Sequence, residues 1–269
     1  MTKKFAPKKL PFRQKVWIST NDVHIQGRAV AITSIGIRHG DMGFPLGKRV
    51  QRVLGQPLGA EKGLILSEGV SNKMLPREIV GRPNVRNIES NAPIKHTLGN
   101  RILDMSQPRG LLLFGTILGI AIPPNIKRLI GSALFEPEIV HTLPQRLSVE
   151  NDVAGRRVSF FCKQLGVSRK EFIAGFNIVK TVGSLFMAAN AISEIRLSRA
   201  KSASIVTGFG HTNEIHKFMS RPKIAIRYID MLMRKLPRTA NSFGIILELR
   251  FSKRLFEQEV EIMHRKHNS

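Results

Sequence analysis

A chain of 269 residues with 43 Lys plus Arg against 19 Asp plus Glu carries a formal net charge of +24. Solubility asks for a net charge of only about 2–8 in a small domain, and a larger surplus costs stability by self-repulsion unless a polyanion neutralises it. A single cysteine excludes a disulfide framework and a multi-cysteine zinc site, and suits a reducing compartment such as the cytoplasm.

The charge is spread along the chain. Basic residues outnumber acidic ones 11 to 2 over 1–60, 10 to 7 over 61–140, 9 to 4 over 141–200 and 13 to 6 over 201–269. A neutral enzyme with a basic tail would differ, and so would a chain held to a membrane by one amphipathic anchor. The expectation is a nucleic-acid partner, DNA or RNA, with no membrane and with room for other protein subunits. Fifteen Phe but only one Trp and one Tyr disfavour a base-stacking platform.

In chain order, residues 1–15 read as a flexible basic arm, with Lys3, Lys4, Lys8 and Lys9 placed to lie along phosphates. No long apolar run follows them, so a secretory signal is not expected. Val16–Ile18, Val23–Ile25 and Val30–Ile32 read as strands, the first two parted by the turn-forming Ser19-Thr20-Asn21-Asp22. The glycine-rich stretch from Gly36 to Gly47 reads as a loop, with Arg38, Lys48 and Arg49 as phosphate contacts. Residues 51–109, punctuated by Gly, Pro and Asn, read as short strands on long loops. The apolar Gly110–Ile122 is too short to span a bilayer, which needs about 20 residues, and reads as buried core.

Residues 145–236 read as mainly helical, and Phe243–Phe251 as a late strand. The fold class is therefore α+β: a β-rich, loop-rich N-terminal half over 16–144 and a mainly helical C-terminal half over 145–269.

Residues 158–179 combine two apolar-periodic stretches around Leu165-Gly166-Val167-Ser168. Gly166 permits a positive φ at the corner, and Ser168 with Glu171 has capping-box spacing. Phe161, Leu165, Phe172, Ile173 and Phe176 would be buried. The segment resembles the helix-turn-helix of DNA-binding proteins. That resemblance implies a second helix in the major groove, with Arg169 and Lys170 at its start and Asn177 reaching an adenine edge. The same pattern also makes an ordinary helix–helix corner. The run Arg196–Lys201, with Gly208-Phe209 and Phe218 after it, is similar to the second half of AraC-type regulators. The six residues between Lys201 and Gly208 are too few for the helix that family places there, so nothing is carried over.

Arg221–Leu236 reads as a basic amphipathic helix. Ala225, Ile229, Leu232 and Leu236 form its apolar stripe, and Lys223, Arg227 and Arg234 share another face. Cys162 in Val158–Cys162 reads as a small buried hydrophobe.

No phosphate-binding loop, nucleophile elbow or His-Glu-x-x-His zinc pattern is present in the sequence. No cofactor, metal ligand or catalytic residue is assigned. The first expectation is helix-turn-helix DNA binding in replication or transcription. The second is an RNA-binding subunit of a ribonucleoprotein, of ribosomal or CRISPR type. The third is a metal-independent ribonuclease, for which His24, His39, His211 and His216 are the candidate groups.

Overall fold

A computed structural model of the chain describes residues 16–37, 46–68, 74–88, 114, 115, 117, 153–236 and 240–267. The fold is α+β. In chain order the elements are β1 (Val16–Ile25), β2 (Arg28–Ile37), α1 (Lys48–Ala60), β3 (Leu64–Ser67), α2 (Arg77–Val80) and β4 (Val85–Asn87). After these come α3 (Val153–Leu165), α4 (Arg169–Ser198), β5 (Ser202–Gly208), α5 (Phe209–Ser220), α6 (Pro222–Lys235) and α7 (Ala240–His267).

The five strands form one sheet in the order β1-β2-β5-β3-β4. β1 is antiparallel to β2, and the other pairings are parallel. β5 thus comes from beyond residue 145 and lies between two strands from before it, so the sheet draws on both halves of the sequence. Its residues are small or β-branched and almost all buried. A strand covered on both faces shows no alternation, which is why Ser202–Gly208 is hard to read from sequence.

β1 and β2 form a hairpin whose turn is Gln26-Gly27, both at positive φ. The turn expected at Ser19–Asp22 is not there, because β1 runs straight through those residues. They are polar because β1 is an edge strand with an exposed first half, and Thr20 and Thr33 face each other across the pair, hydroxyl to hydroxyl at 3.1 Å.

Alternation along the strands feeds two cores. Ile35, Ile37, Ile65 and Val206 pack with Val50, Leu54 and Leu58 of α1 and Ile79 of α2. Ile32, Leu64, Leu66, Ala203 and Ile205 pack with the later helices. The central one is α4, with every residue from Val182 to Ser193 buried. By length and composition α4 could cross a bilayer, but 67% of its most apolar window is buried inside the fold.

The strand expected at Phe243–Phe251 is helical, inside α7. Ile245, Glu248, Leu249, Ser252, Phe256 and Glu259 are its buried positions among the described residues, a spacing of three and four that belongs to a helix. The apolar run looked strand-like because Leu247 and Phe251, both exposed, fill the gaps in that helical stripe. Much of the expected strand-and-loop region 51–109 lies outside the described residues. Within it the structure places α1, which carries Pro57, as well as the short strands β3 and β4. The basic arm and most of the apolar segment 110–122 also lie outside.

α7 is fastened to the hairpin turn. Glu259 accepts from the Gln26 amide at 2.7 Å and lies 3.8 Å from the Arg196 guanidinium, which also donates to Gln258 at 2.9 Å. Lys266 donates to the Gly27 carbonyl. A Cβ at Gly27 would meet the Lys266 side chain at 3.0 Å, so both the positive φ and the close approach favour glycine there.

Burial pushes the Glu259 carboxyl above the usual glutamate range, despite the opposing hydrogen bond and Arg196. A raised folded-state pKa means that folding favours the protonated acid. The resulting stability is complete below the unfolded value of about 4.3 and is lost as pH rises through the folded value. Glu259→Gln cannot ionise and keeps an oxygen for the Gln26 amide. The difference in melting temperature, variant minus wild type, should therefore rise between pH 4 and pH 7. A falling difference would mean that the Arg196 ion pair outweighs burial.

Candidate active site

In parallel sheets, sites form beyond the carboxyl ends of the strands, where strand order switches. Here β2, β5 and β3 end side by side: Ile37 pairs with Gly208, and Val206 with Ser67. Glu68 follows β3 directly, and Phe209-Gly210-His211 follow β5 as the first turn of α5. Glu68 reaches across and accepts from the Gly208 amide. Gly36 allows α5 to come close, since a Cβ there would lie 2.8 Å from the Thr212 hydroxyl. Thr212 in turn contacts Thr207 at 3.0 Å and donates to the Gly208 carbonyl at 3.2 Å, fixing the strand-to-helix corner.

His211 is the hub of the site. Its Nδ1 lies 2.9 Å from the Ser184 hydroxyl on α4, and its Nε2 lies 3.9 Å from Glu68 Oε1. Ser184 also lies 2.6 Å from Glu214 Oε2 and 3.2 Å from the Lys180 carbonyl. Glu214 receives Lys180 Nζ at 3.3 Å and Thr181 Oγ1 at 3.4 Å. Helical spacing assembles this set: Lys180 and Ser184 are one turn apart on α4, with Thr181 between them, and His211 and Glu214 are three apart on α5.

A serine hydroxyl has one hydrogen to give. The Glu214 carboxylate is the nearest acceptor and a charged one, so the hydroxyl donates to it. His211 must then donate from Nδ1 to the Ser184 oxygen. In the neutral ring that bond selects the Nδ1–H tautomer, with the Nε2 lone pair turned toward Glu68. Ser184 is fully buried and both its roles are taken, so it orients the histidine and is not itself a nucleophile. His211 and Glu68 are each about one-fifth exposed, at 23% and 21%. The 3.9 Å between Nε2 and the carboxylate is too long for a hydrogen bond. A water at about 2.8 Å from both would fit between them.

Among the described residues, no group of three His, Cys, Asp or Glu is arranged to hold a metal ion. His24 is exposed on β1, and His216 sits half-buried on α5 with its basicity lowered by burial. His39 lies outside the described residues. Sequence reading singled out His211 as one of four equivalent histidines, and it gave no role to Glu68, Lys180, Ser184 or Glu214. No linear motif joins them. The one local signal was Thr207-Gly208-Phe209-Gly210 running directly into a histidine.

The expected nucleic-acid contacts do not gather at this site. Lys48 and Arg49 are exposed at the start of α1, and Lys223, Arg227 and Arg234 are exposed on α6. Lys3, Lys4, Lys8, Lys9 and Arg38 lie outside the described residues.

At residues 158–179, Gly166 has φ +66° and Ser168 and Glu171 form both bonds of a capping box. These bonds hold the Glu171 carboxyl below its usual range. The second helix, however, is α4, which continues for 30 residues as the core helix. Its first two turns leave Lys170, Glu171 and Ala174 exposed, with Arg169 and Asn177 half-buried. Burial raises the Cys162 thiol, as suits a packed side chain. No family model matches the chain, and neither a curated protein nor a solved structure matches it.

The geometry makes a claim about tautomer that can be checked. Ser184→Ala removes the only acceptor described for His211 Nδ1. In ¹⁵N spectra, the wild type should show His211 as the Nδ1–H tautomer and the variant a mixture. Stability should fall by about 1–3 kcal/mol, the cost of stranding buried polar partners. An unchanged tautomer would show that Ser184 does not orient the ring.

Proposed function

We propose that the protein is an enzyme of the hydrolase type that works by general-base catalysis with His211. The observation that carries this reading is a histidine with one ring nitrogen locked through Ser184 onto Glu214 and the other turned toward Glu68, at the strand ends where parallel sheets place their sites. Nε2 takes a proton from water as the water oxygen attacks a carbonyl or phosphoryl centre. Glu68 steadies the imidazolium that forms, and the same proton then passes to the leaving group. Because Nε2 and Glu68 sit only 3.9 Å apart, they act from one side as a single base. A two-sided exchange, with base and acid flanking a phosphodiester, would need them further apart.

The test is hydrolysis of p-nitrophenyl acetate and of bis-p-nitrophenyl phosphate. His211→Gln and Glu68→Gln should each lower kcat by roughly 100-fold or more, the usual worth of a positioned base, with folding retained. Absence of turnover on both probes, or full activity in His211→Gln, would overturn the assignment.

A second reading rests on a different observation, the surplus of 24 positive charges distributed through the sequence. It makes the protein a nucleic-acid binder: a DNA-binding protein acting in replication or transcription, or an RNA-binding subunit of a ribonucleoprotein. Neutralising about 6–10 phosphates would cost three to five decades of affinity between 50 and 200 mM salt. A flat salt titration on duplex DNA and on structured RNA would remove this reading and leave the catalytic one untouched.

A further inference from the structure

The outer face of α6 differs from the other basic surfaces in what it lacks. Lys223, Arg227 and Arg234 are all exposed on it, at spacings of four and seven. Among the described residues, Lys223 and Arg227 meet no carboxylate, and Arg234 contacts only the carbonyl of Asp230, at 3.3 Å. Asp230, one turn beyond Arg227, is the acid on this face. Its carboxylate is taken by Lys253 of α7 at 2.8 Å. That contact raises the Lys253 pKa, so the ammonium stays charged while it holds Asp230. Opposite lies the apolar stripe: Ala225, Ile229, Leu232 and Leu236 are buried in the core.

We propose that the outer face of α6 binds the phosphate backbone of nucleic acid, and that Lys253 keeps that face cationic by holding Asp230. The proposal rests on the nucleic-acid reading given above and locates its surface. From Lys223 to Arg234 the three cations span about 16 Å of helix at 1.5 Å per residue. One strand of a duplex carries one phosphate per about 3.4 Å of axis, so a helix of that length running with the axis passes four to five of them. A helix that lies in a membrane needs a free apolar face to insert, and the apolar face of α6 is already used in the core. Arg and Lys without base-reading neighbours give affinity without sequence preference.

The experiment is a salt titration of binding to a 30-base-pair DNA duplex and to an RNA stem-loop, with phosphatidylglycerol vesicles as a third probe. The triple variant Lys223→Ala, Arg227→Ala, Arg234→Ala should keep its circular dichroism and melting temperature. Its log–log salt slope should fall by about 3, one for each lost phosphate contact. Lys253→Met should weaken binding although all three cations remain, and adding Asp230→Asn should restore it. Absence of wild-type binding to either nucleic acid sinks the parent reading. Wild-type binding with an unchanged slope in the triple variant overturns the surface alone. Binding to vesicles but not to nucleic acid assigns the face to lipid headgroups and overturns the proposal. Failure of Asp230→Asn to rescue Lys253→Met removes the role given to Lys253.

Discussion

Everything at the candidate site depends on the seating of β5 between β2 and β3. Two carboxylates secure it, one at each end of the sheet. At the amino end, Glu61 accepts from Ser202 and Ser204 of β5, at 2.7 and 2.8 Å, and from the Gly63 amide at 2.7 Å. At the carboxyl end, Glu68 accepts from the Gly208 amide. Space is as tight as the bonding: a Cβ on Gly63 would lie 2.0 Å from the Ser202 carbonyl. Because Glu68 also faces His211, the group that anchors the strand is the group that completes the dyad. The site is thus built into the sheet, and a loss of β5 register would carry His211 away from Glu68.

The local chemistry of the chain was legible where it is helical and one-sided. The α6 stripe, the corner at Gly166 and the capping box at Ser168 follow from spacing, because each signal lies within a few residues. What lay beyond local reading was context. The capping box marks where α4 begins but says nothing of where it stops, and its small residues Gly183, Ala188, Ala189 and Ala191 reveal their use only once the helix is packed. β5 was missed because a doubly buried strand loses its alternation, and α7 was misread because exposed Leu247 and Phe251 broke a helical pattern into an apolar run. The candidate site was less legible still. Glu68, Ser184 and His211 come from three segments far apart in sequence, and only the sheet order and the packing of α4 on α5 bring them together.

The two functional readings draw on different parts of the molecule. The histidine centre sits at the carboxyl ends of β3 and β5, where Ser184 and Glu68 face one ring and Glu214, with Lys180, stands behind the serine. The α6 face presents three cations, none of which is paired with a carboxylate among the described residues. A hydrolase with a basic outer helix and a nucleic-acid binder with a proton-transfer centre are compatible descriptions of one protein, and each can fail without the other.

The distribution of acids explains why so large a net charge acts at the surface. Glu61, Glu68, Glu214 and Glu259 are each spent inside the fold, on strand amides, hydroxyls, a lysine or an arginine. Glu171 is spent on a helix cap and Asp230 on Lys253. Glu214, Glu259 and Asp230 face Lys180, Arg196 and Lys253, and an ion pair acts at a distance mainly as a local dipole. Lys48, Arg49, Lys170, Lys223 and Arg227 face solvent. The self-repulsion this creates is a standing cost to the folded state, and a polyanion lying along α6 would relieve part of it. Under the nucleic-acid reading, binding and stability would be coupled, because the acids named above are committed to anchors within the fold and none of them pairs with Lys223 or Arg227.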